Sequence, residues 1–254
     1  MIATLPVSSM IDDRNYLDIA KVRALEYKKI QPLLSQKKEN LFHAAYGITQ
    51  NGFLDYFESI KKFLNGNDFK IFSFDLGPAA ERVEMTSYYY SARSNPLTQD
   101  ELHKIICARL AHIKQGFRGI IAMENLNYFP TSAYQHVCDP VFISEVIRKT
   151  RAHMVLDIGH AIIASQNLAI DIYAYLDSLP LERVVEIHLS APGAVAGTWR
   201  DLHEIPAARE LGLLDYVSKR LTVEPYVTVE YYKDFSKLKQ FYRDNFRGAA
   251  CRKR

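Results

Sequence analysis

Residues 153–189, HMVLDIGHAIIASQNLAIDIYAYLDSLPLERVVEIHL, contain the pattern from which the fold can be predicted. The two ends of this stretch, His153–Asp157 and Val184–Leu189, are short apolar runs typical of buried strands. Between them, residues 170–179 carry apolar side chains at helical spacing. Two strands joined by a helix pair in parallel through a right-handed crossover, so this stretch predicts one βαβ unit.

The same alternation extends in both directions along the chain. Further strand-like runs cover residues 2–7, 24–27, 41–46, 70–76, 119–124 and 226–231. Further helical patterns cover residues 53–64, 98–110, 141–148, 207–221 and 234–245. Eight strands alternating with about seven or eight helices predict an α/β fold, a single (β/α)8 TIM barrel.

The chain length agrees with one barrel. A TIM barrel takes about 250 residues, and this chain has 254. We therefore expect one barrel domain over residues 1–246, followed by a basic tail at residues 247–254. An open doubly wound sheet is the alternative, although the sequence contains neither a GxGxxG motif nor a P-loop.

The composition is that of an ordinary globular protein. With 48% hydrophobic and 24% charged residues, the chain falls outside the disordered and collagen-like classes. Its net charge of +3 argues against nucleic acid or an anionic membrane as partner. Cys107, Cys138 and Cys251 are too few for a disulfide framework, and neither a signal peptide nor a membrane-length apolar run is present. We expect reduced thiols and a cytoplasmic location.

Polar side chains gather where the predicted strands end. They are His43, Asp75, Glu124, Asp157, His160, His188, Asp201, His203 and Glu230. Each alone has an ordinary explanation as a helix cap, a surface carboxylate or a core histidine. Strand ends of a barrel meet at one mouth, however, so together these residues predict several carboxylates in close proximity.

The repulsion between clustered carboxylates must be offset by positive charge or by protonation. Two like charges about 4 Å apart repel by roughly 4 kcal/mol at an effective dielectric constant near 20. Two or three divalent cations would offset this repulsion, with the imidazoles as neutral ligands, and protonation of the carboxylates is the alternative. Mixed imidazole and carboxylate ligands favour Fe, Mn or Zn over Ca or Mg. We expect a multinuclear metal site.

Two long loops follow predicted strands on the same face. The first, residues 77–96, contains Tyr88, Tyr89 and Tyr90, and the second, residues 190–206, contains Trp199. Long loops on this face of a barrel are typical of lids and binding loops. These four aromatic residues are candidates for substrate binding. Packing of the loops onto the barrel explains them equally well.

Five segments carry a family resemblance. Residues 123–128 are Met-Glu-Asn-Leu-Asn-Tyr, residues 156–160 are Leu-Asp-Ile-Gly-His, and residues 179–189 are Leu-Pro-Leu-Glu-Arg-Val-Val-Glu-Ile-His-Leu. Asp201-Leu-His203 and Val229-Glu230 follow in order. In this order the segments resemble the multinuclear non-haem iron-dependent oxidative enzymes, the family that includes the methanobactin-biosynthesis oxidase.

The resemblance implies a xylose isomerase-like TIM barrel that holds two or three iron ions. It implies an O2-dependent oxidoreductase that oxidises a side chain, cysteine above all, of a ribosomally made precursor peptide, together with a separate leader-binding partner protein. The metal ligands it implies are His43, Glu124, Asp157, His160, His188, Asp201, His203 and Glu230. It also implies that Asn125 is a polar group beside the centre, and we take Asn125 and Asp75 as candidate catalytic groups. Asp75 stands where the family usually has His and is either a ligand or a base.

Other members of the same superfamily remain alternatives. Asp157-x-x-His160 is also similar to the apurinic endonucleases, which use three zincs, while the family above usually has an Asn pair after the Asp. Sugar isomerases of the xylose isomerase type, with two divalent ions, are a third relative. A zinc or manganese hydrolase or isomerase therefore remains open, as does a non-catalytic scaffold. The balanced charge argues against a nuclease.

Overall fold

The computed structural model describes residues 1–11, 15–19, 22–86 and 88–246. The expected basic tail, with Cys251, lies outside these ranges. The strands are β1 (Ile2–Val7), β2 (Ala24–Tyr27), β3 (Glu39–Gly47), β4 (Phe69–Asp75), β5 (Val83–Met85), β6 (Tyr90–Ala92), β7 (Ile120–Glu124), β8 (His153–Asp157), β9 (Val184–Leu189), β10 (Ala191–Val195), β11 (Thr198–Glu204) and β12 (Tyr226–Val229).

Eight of these strands form a closed barrel in the ring order β1, β12, β9, β8, β7, β4, β3, β2. Every neighbouring pair around the ring is parallel, and the barrel closes where Ile2 of β1 pairs with Tyr226 of β12. The predicted (β/α)8 barrel is confirmed. All eight predicted strands are present, with ends that differ by at most two residues.

The α-helices of the described residues are α1 (Phe53–Gly66), α2 (Gln99–Gly116), α3 (Pro140–Thr150), α4 (Ile158–Leu168), α5 (Ile172–Asp177), α6 (Ala208–Ser218) and α7 (Phe235–Asn245). Sequence reasoning missed α4, because this helix begins directly after β8 with no turn between them. Asp157 ends the strand and caps the helix, with its Oδ1 accepting a hydrogen bond from the His160 backbone N–H at 2.6 Å.

The side chains inside the barrel change from apolar to polar along the barrel axis. One cluster of buried apolar side chains, which we call the apolar layer, comprises Ile2, Ala24, Leu41, Ile71, Ala122, Val155 and Val185. Two positions further along six of these strands lie Thr4, Glu26, His43, Ser73, Glu124 and Asp157, all buried, which we call the polar layer. Residues two apart on a strand share a face, so the polar layer lies above the apolar one, toward the C-terminal mouth.

Both long loops contain β-hairpins instead of irregular chain. β5 pairs antiparallel with β6, and β10 pairs antiparallel with β11. The second hairpin carries Asp201 and His203, which sequence reasoning placed in a loop. Cys107 and Cys138 are free thiols, as predicted. No helix in the part of the chain that the structure describes is both long enough and apolar enough to cross a membrane.

Candidate metal centre

The nine polar residues singled out in the sequence converge at the C-terminal mouth of the barrel. Each has a nitrogen–oxygen contact of 3.9 Å or less with another member of the set. The barrel strands position His43, Asp75, Glu124, Asp157 and His188. Glu230 follows β12, His160 lies in the first turn of α4, and β11 carries Asp201 and His203.

Glu124 lies at the centre of the cluster. Its Oε2 is 3.1 Å from His43 Nε2, and its Oε1 is 2.9 Å from His188 Nδ1. The same Oε1 is 3.7 Å from His160 Nδ1. Glu124 therefore belongs to two groups of potential metal ligands, one with His43 and His188 and one with Asp157 and His160.

A second group of contacts surrounds Asp201 and Glu230. Asp201 Oδ2 is 3.5 Å from His160 Nε2 and 3.0 Å from His203 Nε2. His203 Nε2 is also 3.3 Å from Glu230 Oε2. This group reaches the centre from α4, β11 and the end of β12, so the second hairpin closes one side of the site.

Asp157 joins the two groups and provides a test of whether a metal fits. Its Oδ2 is buried and has no hydrogen-bond partner. A buried carboxylate oxygen without a partner is destabilising by about 1–3 kcal/mol or more. Ligand atoms of Asp157 lie within 4.8 Å of those of Glu124 and His160, and also of those of His188 and Glu230. Overlapping sets of carboxylates and imidazoles around this oxygen fit a multinuclear metal centre.

Hydrogen bonds fix the orientation of two imidazoles. His43 Nδ1 lies 3.0 Å from Ser73 Oγ, and His160 Nδ1 lies 2.9 Å from the Asn125 carbonyl oxygen. Both rings thereby turn Nε2 toward the carboxylates. Such contacts fix the tautomer and ring position of metal-binding histidines.

The Asn125 side chain forms two hydrogen bonds with the backbone of Asp157. Its amide nitrogen donates to the Asp157 carbonyl at 3.0 Å, and its Oδ1 accepts from the Asp157 backbone N–H at 2.9 Å. The side chain is buried, and both ends of its amide bond the backbone of Asp157. This geometry supports a role for Asn125 in positioning Asp157.

Burial and mutual repulsion strongly shift the acidities of the carboxyl groups. Burial, with Glu124 adding to it, raises the pKa of Asp75 to about 6. Burial raises the pKa of Asp157 to about 7, with Glu124 contributing and His160 opposing. Although burial opposes ionisation of Glu124 as well, the His188 and His43 imidazoles hold its pKa well below the usual value.

Three charged residues near the centre escaped sequence reasoning: the buried Glu26 and Glu186, and the partly exposed Lys28. Lys28 Nζ forms an ion pair with Glu230 and lies 3.9 Å from Glu26 Oε1. Glu26 Oε2 and Glu186 Oε1 lie 3.2 Å and 3.7 Å from His188 Nε2. The sequence held a signal for one pair, because His188 follows Glu186 by two residues on β9 and the two side chains share a strand face. Lys28 follows Glu26 by two residues but lies just beyond the end of β2.

A cavity of about 430 Å3 lies over the centre. Besides candidate ligands, it is lined by Met85, Tyr88, Tyr90, Leu126 and Tyr134, among others. Two of the four aromatic residues singled out in the sequence, Tyr88 and Tyr90, therefore line this cavity.

The other two predicted substrate residues lie elsewhere. Tyr89 packs against Phe129 with ring centroids 5.6 Å apart, and the Trp199 ring lies 5.1 Å from the Arg209 guanidinium. Neither Tyr89 nor Trp199 is among the residues that line the cavity. Arg200 stacks on Tyr88 at 3.6 Å and so connects the two hairpins across the mouth.

The closed parallel barrel, with histidines and carboxylates clustered at its C-terminal mouth, places the protein in the class of TIM barrels that carry potential metal ligands at this end. Within that class, residues 54–251 match the model described as RiPP precursor modification enzyme MbnB/TglH/ChrH. The chain belongs to this enzyme family, which confirms the resemblance drawn from the sequence.

Curated relatives carry the description UPF0276 protein. One from Caulobacter vibrioides is 26% identical over 111 residues, which is 44% of this chain and 39% of the relative. Another from Vibrio vulnificus is 24% identical over 131 residues, 49% of this chain and 44% of the relative. The matches therefore span less than half the length of these relatives.

Solved structures with the same fold are more distant in sequence. Endonuclease IV from Thermus thermophilus superposes with a TM-score of 0.63 at 13% identity, over 97% of this chain and 98% of that chain. A xylose isomerase domain protein from Planctomyces limnophilus gives 0.57 at 10% identity, over 96% and 92%. These likenesses confirm the xylose isomerase-like TIM barrel and concern the fold alone.

Proposed function

We propose that the protein is a multinuclear non-haem iron enzyme that uses O2 to oxidise a side chain, cysteine above all, of a ribosomally made precursor peptide. The main support for this proposal is that Glu124 and Asp157 are each shared by two groups of potential metal ligands, directly beneath a cavity lined by tyrosines. Family membership supports the precursor peptide as substrate. A separate leader-binding protein is the proposed partner, and the cytoplasm is the proposed location.

The eight proposed ligands are His43, Glu124, Asp157, His160, His188, Asp201, His203 and Glu230. Bound iron would supply the redox chemistry with O2. The protein's own contribution is orientation, because Ser73 and Asn125 hold two of the imidazoles by hydrogen bonds. Zinc and manganese accept the same ligands and remain the alternative metals.

The cavity above the centre suits one or two side chains of a peptide. Tyr88, Tyr90 and Tyr134 provide aromatic walls and Met85 and Leu126 apolar ones. Asp75 lines the same cavity, and its Oδ1 lies 3.9 Å from His43 Nε2. With its pKa raised to about 6 by burial and by Glu124, Asp75 is our candidate for the group that accepts a proton from the incoming side chain.

Anaerobic purification followed by metal analysis tests the proposal. We expect two or three iron ions per chain and a charge-transfer band when air is admitted. With a cysteine-containing precursor peptide and its leader-binding protein, O2 consumption should accompany a change in peptide mass. His160→Ala should abolish both, whereas His112→Ala should not, because His112 lies on the surface of α2 beside Glu58.

Two results would overturn this assignment. Stoichiometric zinc without iron, together with cleavage of abasic DNA, would establish a hydrolase similar to the apurinic endonucleases. Absence of bound metal, with thermal unfolding unchanged by His160→Ala and Glu230→Ala, would establish a non-catalytic scaffold.

A further inference from the structure

His188 contacts charged groups on both edges of its ring. The residue is fully buried on β9. Its Nδ1 lies 2.9 Å from Glu124 Oε1 and 3.7 Å from Glu230 Oε1, both at the proposed centre. Its Nε2 points the other way and lies 3.2 Å from Glu26 Oε2. The ring therefore lies between the proposed centre and the Glu26 carboxylate.

The neighbouring histidines are arranged in the opposite sense. His43 and His160 each place Nδ1 against a hydrogen-bonding group, Ser73 Oγ and the Asn125 carbonyl, and turn Nε2 toward the carboxylates. His188 has Nδ1 on the side of the centre and Nε2 on the side of Glu26. An imidazole that binds a metal through one nitrogen carries its proton on the other, and that N–H needs an acceptor.

Glu26 is the acceptor that the barrel interior offers. Both of its side-chain oxygens and His188 Nε2 are buried without an aligned hydrogen-bond partner among the described residues. Their 3.2 Å contact is shorter than the 3.9 Å between Glu26 and Lys28. A slight rotation of either side chain would align the bond and satisfy buried atoms on both sides.

Glu186 is a less suitable acceptor, although it is equally buried. Its Oε1 lies 3.7 Å from His188 Nε2, beyond hydrogen-bond distance, and already accepts from Thr228 Oγ1 at 3.0 Å. Glu26 is therefore the better placed of the two carboxylates to accept a hydrogen bond from His188 Nε2.

We propose that Glu26 is a positioning residue that accepts the Nε2–H of His188 and so presents Nδ1 of His188 to the metal centre. This inference rests on the proposed metal centre but not on the identity of the metal or on the reaction. The proposal adds Glu26 to the site. This residue lies on β2, the shortest of the eight strands predicted from the sequence.

Histidine NMR of the zinc-loaded protein tests the proposal directly. In protein labelled with 15N-histidine, two-bond 1H–15N spectra distinguish a proton on Nε2 from one on Nδ1, and the His188 signals are those lost in His188→Gln. We expect the proton on Nε2 in the wild type and in Glu26→Gln, which keeps an acceptor oxygen. In Glu26→Leu the Nε2–H loses its acceptor, so we expect its 1H resonance to move upfield from the wild-type position, or the His188 signals to lose their zinc-bound pattern altogether.

Zinc affinity, measured by competition with a chelator, provides the second readout. Loss of such a hydrogen bond typically weakens metal binding about 10- to 100-fold, which we expect for Glu26→Leu. Glu26→Gln and the matched control Glu186→Gln should stay within about threefold of the wild type. If Glu26→Leu fails to fold, Glu26→Gln still decides the question, because a neutral amide acceptor in place of the carboxylate should move the His188 Nε2–H resonance upfield, whereas Glu186→Gln should leave it in place.

Three outcomes would overturn the inference. A His188 proton on Nδ1 in the wild type would refute it, as would equal affinity in Glu26→Leu. Loss of one zinc ion per chain in Glu26→Gln would show instead that Glu26 and Glu186 hold a cation of their own. A wild type that binds no metal would refute the proposed function, which is a distinct result.

Discussion

At the scale of single residues, Lys28 is the unexpected member of the site. Its ammonium group pairs with Glu230, one of the proposed ligands. Although burial opposes the charge, Glu230, Tyr232 and Glu26 hold the pKa of Lys28 well above its usual value, so the lysine stays positive. In the proposed centre, the Lys28 ammonium group would compete with a metal ion for the Glu230 carboxylate.

We therefore expect Lys28→Met to retain metal more strongly than the wild type. Removal of one positive charge near the ions should slow metal loss to a chelator about tenfold, equivalent to about 1.4 kcal/mol. Lys70→Met is the matched control, because Lys70 pairs with the exposed Asp68 at the opposite end of the barrel. Faster metal loss from Lys28→Met would show that the lysine supports Glu230 instead.

The sequence predicted which residues would meet, but not every role. His43, Asp157 and Glu230 were found because parallel strand ends converge, whatever the details of packing. Lys28 was missed because a lone lysine beside a short strand usually faces solvent. The two hydrogen bonds between the Asn125 side chain and the Asp157 backbone depend on side-chain geometry. The spacing of residues along the chain does not predict such geometry.

At the scale of elements, the start of α4 controls two proposed ligands, Asp157 and His160. A Cβ added to Gly159 would lie 2.8 Å from Ser190 Oγ and 3.3 Å from the Ser190 carbonyl oxygen. It would also lie 3.2 Å from Asp157 Oδ1. Only glycine lets the first turn of this helix approach the end of β9 so closely.

Gly159→Ala should therefore displace this turn and weaken metal binding about tenfold, with a loss of about 1–3 kcal/mol in the free energy of unfolding. Gly212→Ala is the control, since Gly212 lies in α6 with open space around its Cα. That change should stabilise the protein by about 0.5–1 kcal/mol. Denaturant unfolding and chelator competition would measure both effects. Unchanged metal affinity in Gly159→Ala would contradict the argument.

The elements that the sequence failed to predict share a physical cause. β5 and β6 have three residues each and are at least partly exposed, so they carry no alternation of apolar and polar residues. β11 has no fully buried residue, and its sequence looks like a polar loop. The barrel strands were predictable because burial on both faces demands continuous apolar runs.

At the scale of the whole molecule, the clustered charges make stability depend on pH when metal is absent. Asp75 and Asp157 have raised pKa values, about 6 and about 7, so the folded state binds more protons than the unfolded state. The pKa values of His160 and His188 are also raised, because neighbouring carboxylates outweigh burial. Stability from all four groups is present at low pH and is lost as the pH rises through their folded-state values.

The metal-free protein should therefore melt at lower temperature at pH 8.5 than at pH 6, by about 2–4 °C for each kcal/mol lost. The metal-loaded protein should show little of this slope, because bound cations stabilise the ionised carboxylates. Asp157→Asn should flatten the slope of the metal-free protein. Differential scanning calorimetry would measure the three profiles, and a metal-free protein more stable at pH 8.5 would contradict the assignment of these groups.

The closure of the barrel between β1 and β12 has a consequence for biosynthesis. Lys28 contacts Glu230 across 202 positions of the chain, and Glu230 is among the last described residues before α7. A nascent polypeptide still on the ribosome lacks this carboxylate until residue 230 has been translated. Metal loading should therefore follow translation, and a cell short of metal would accumulate a closed barrel whose acidic mouth has not yet bound its ions.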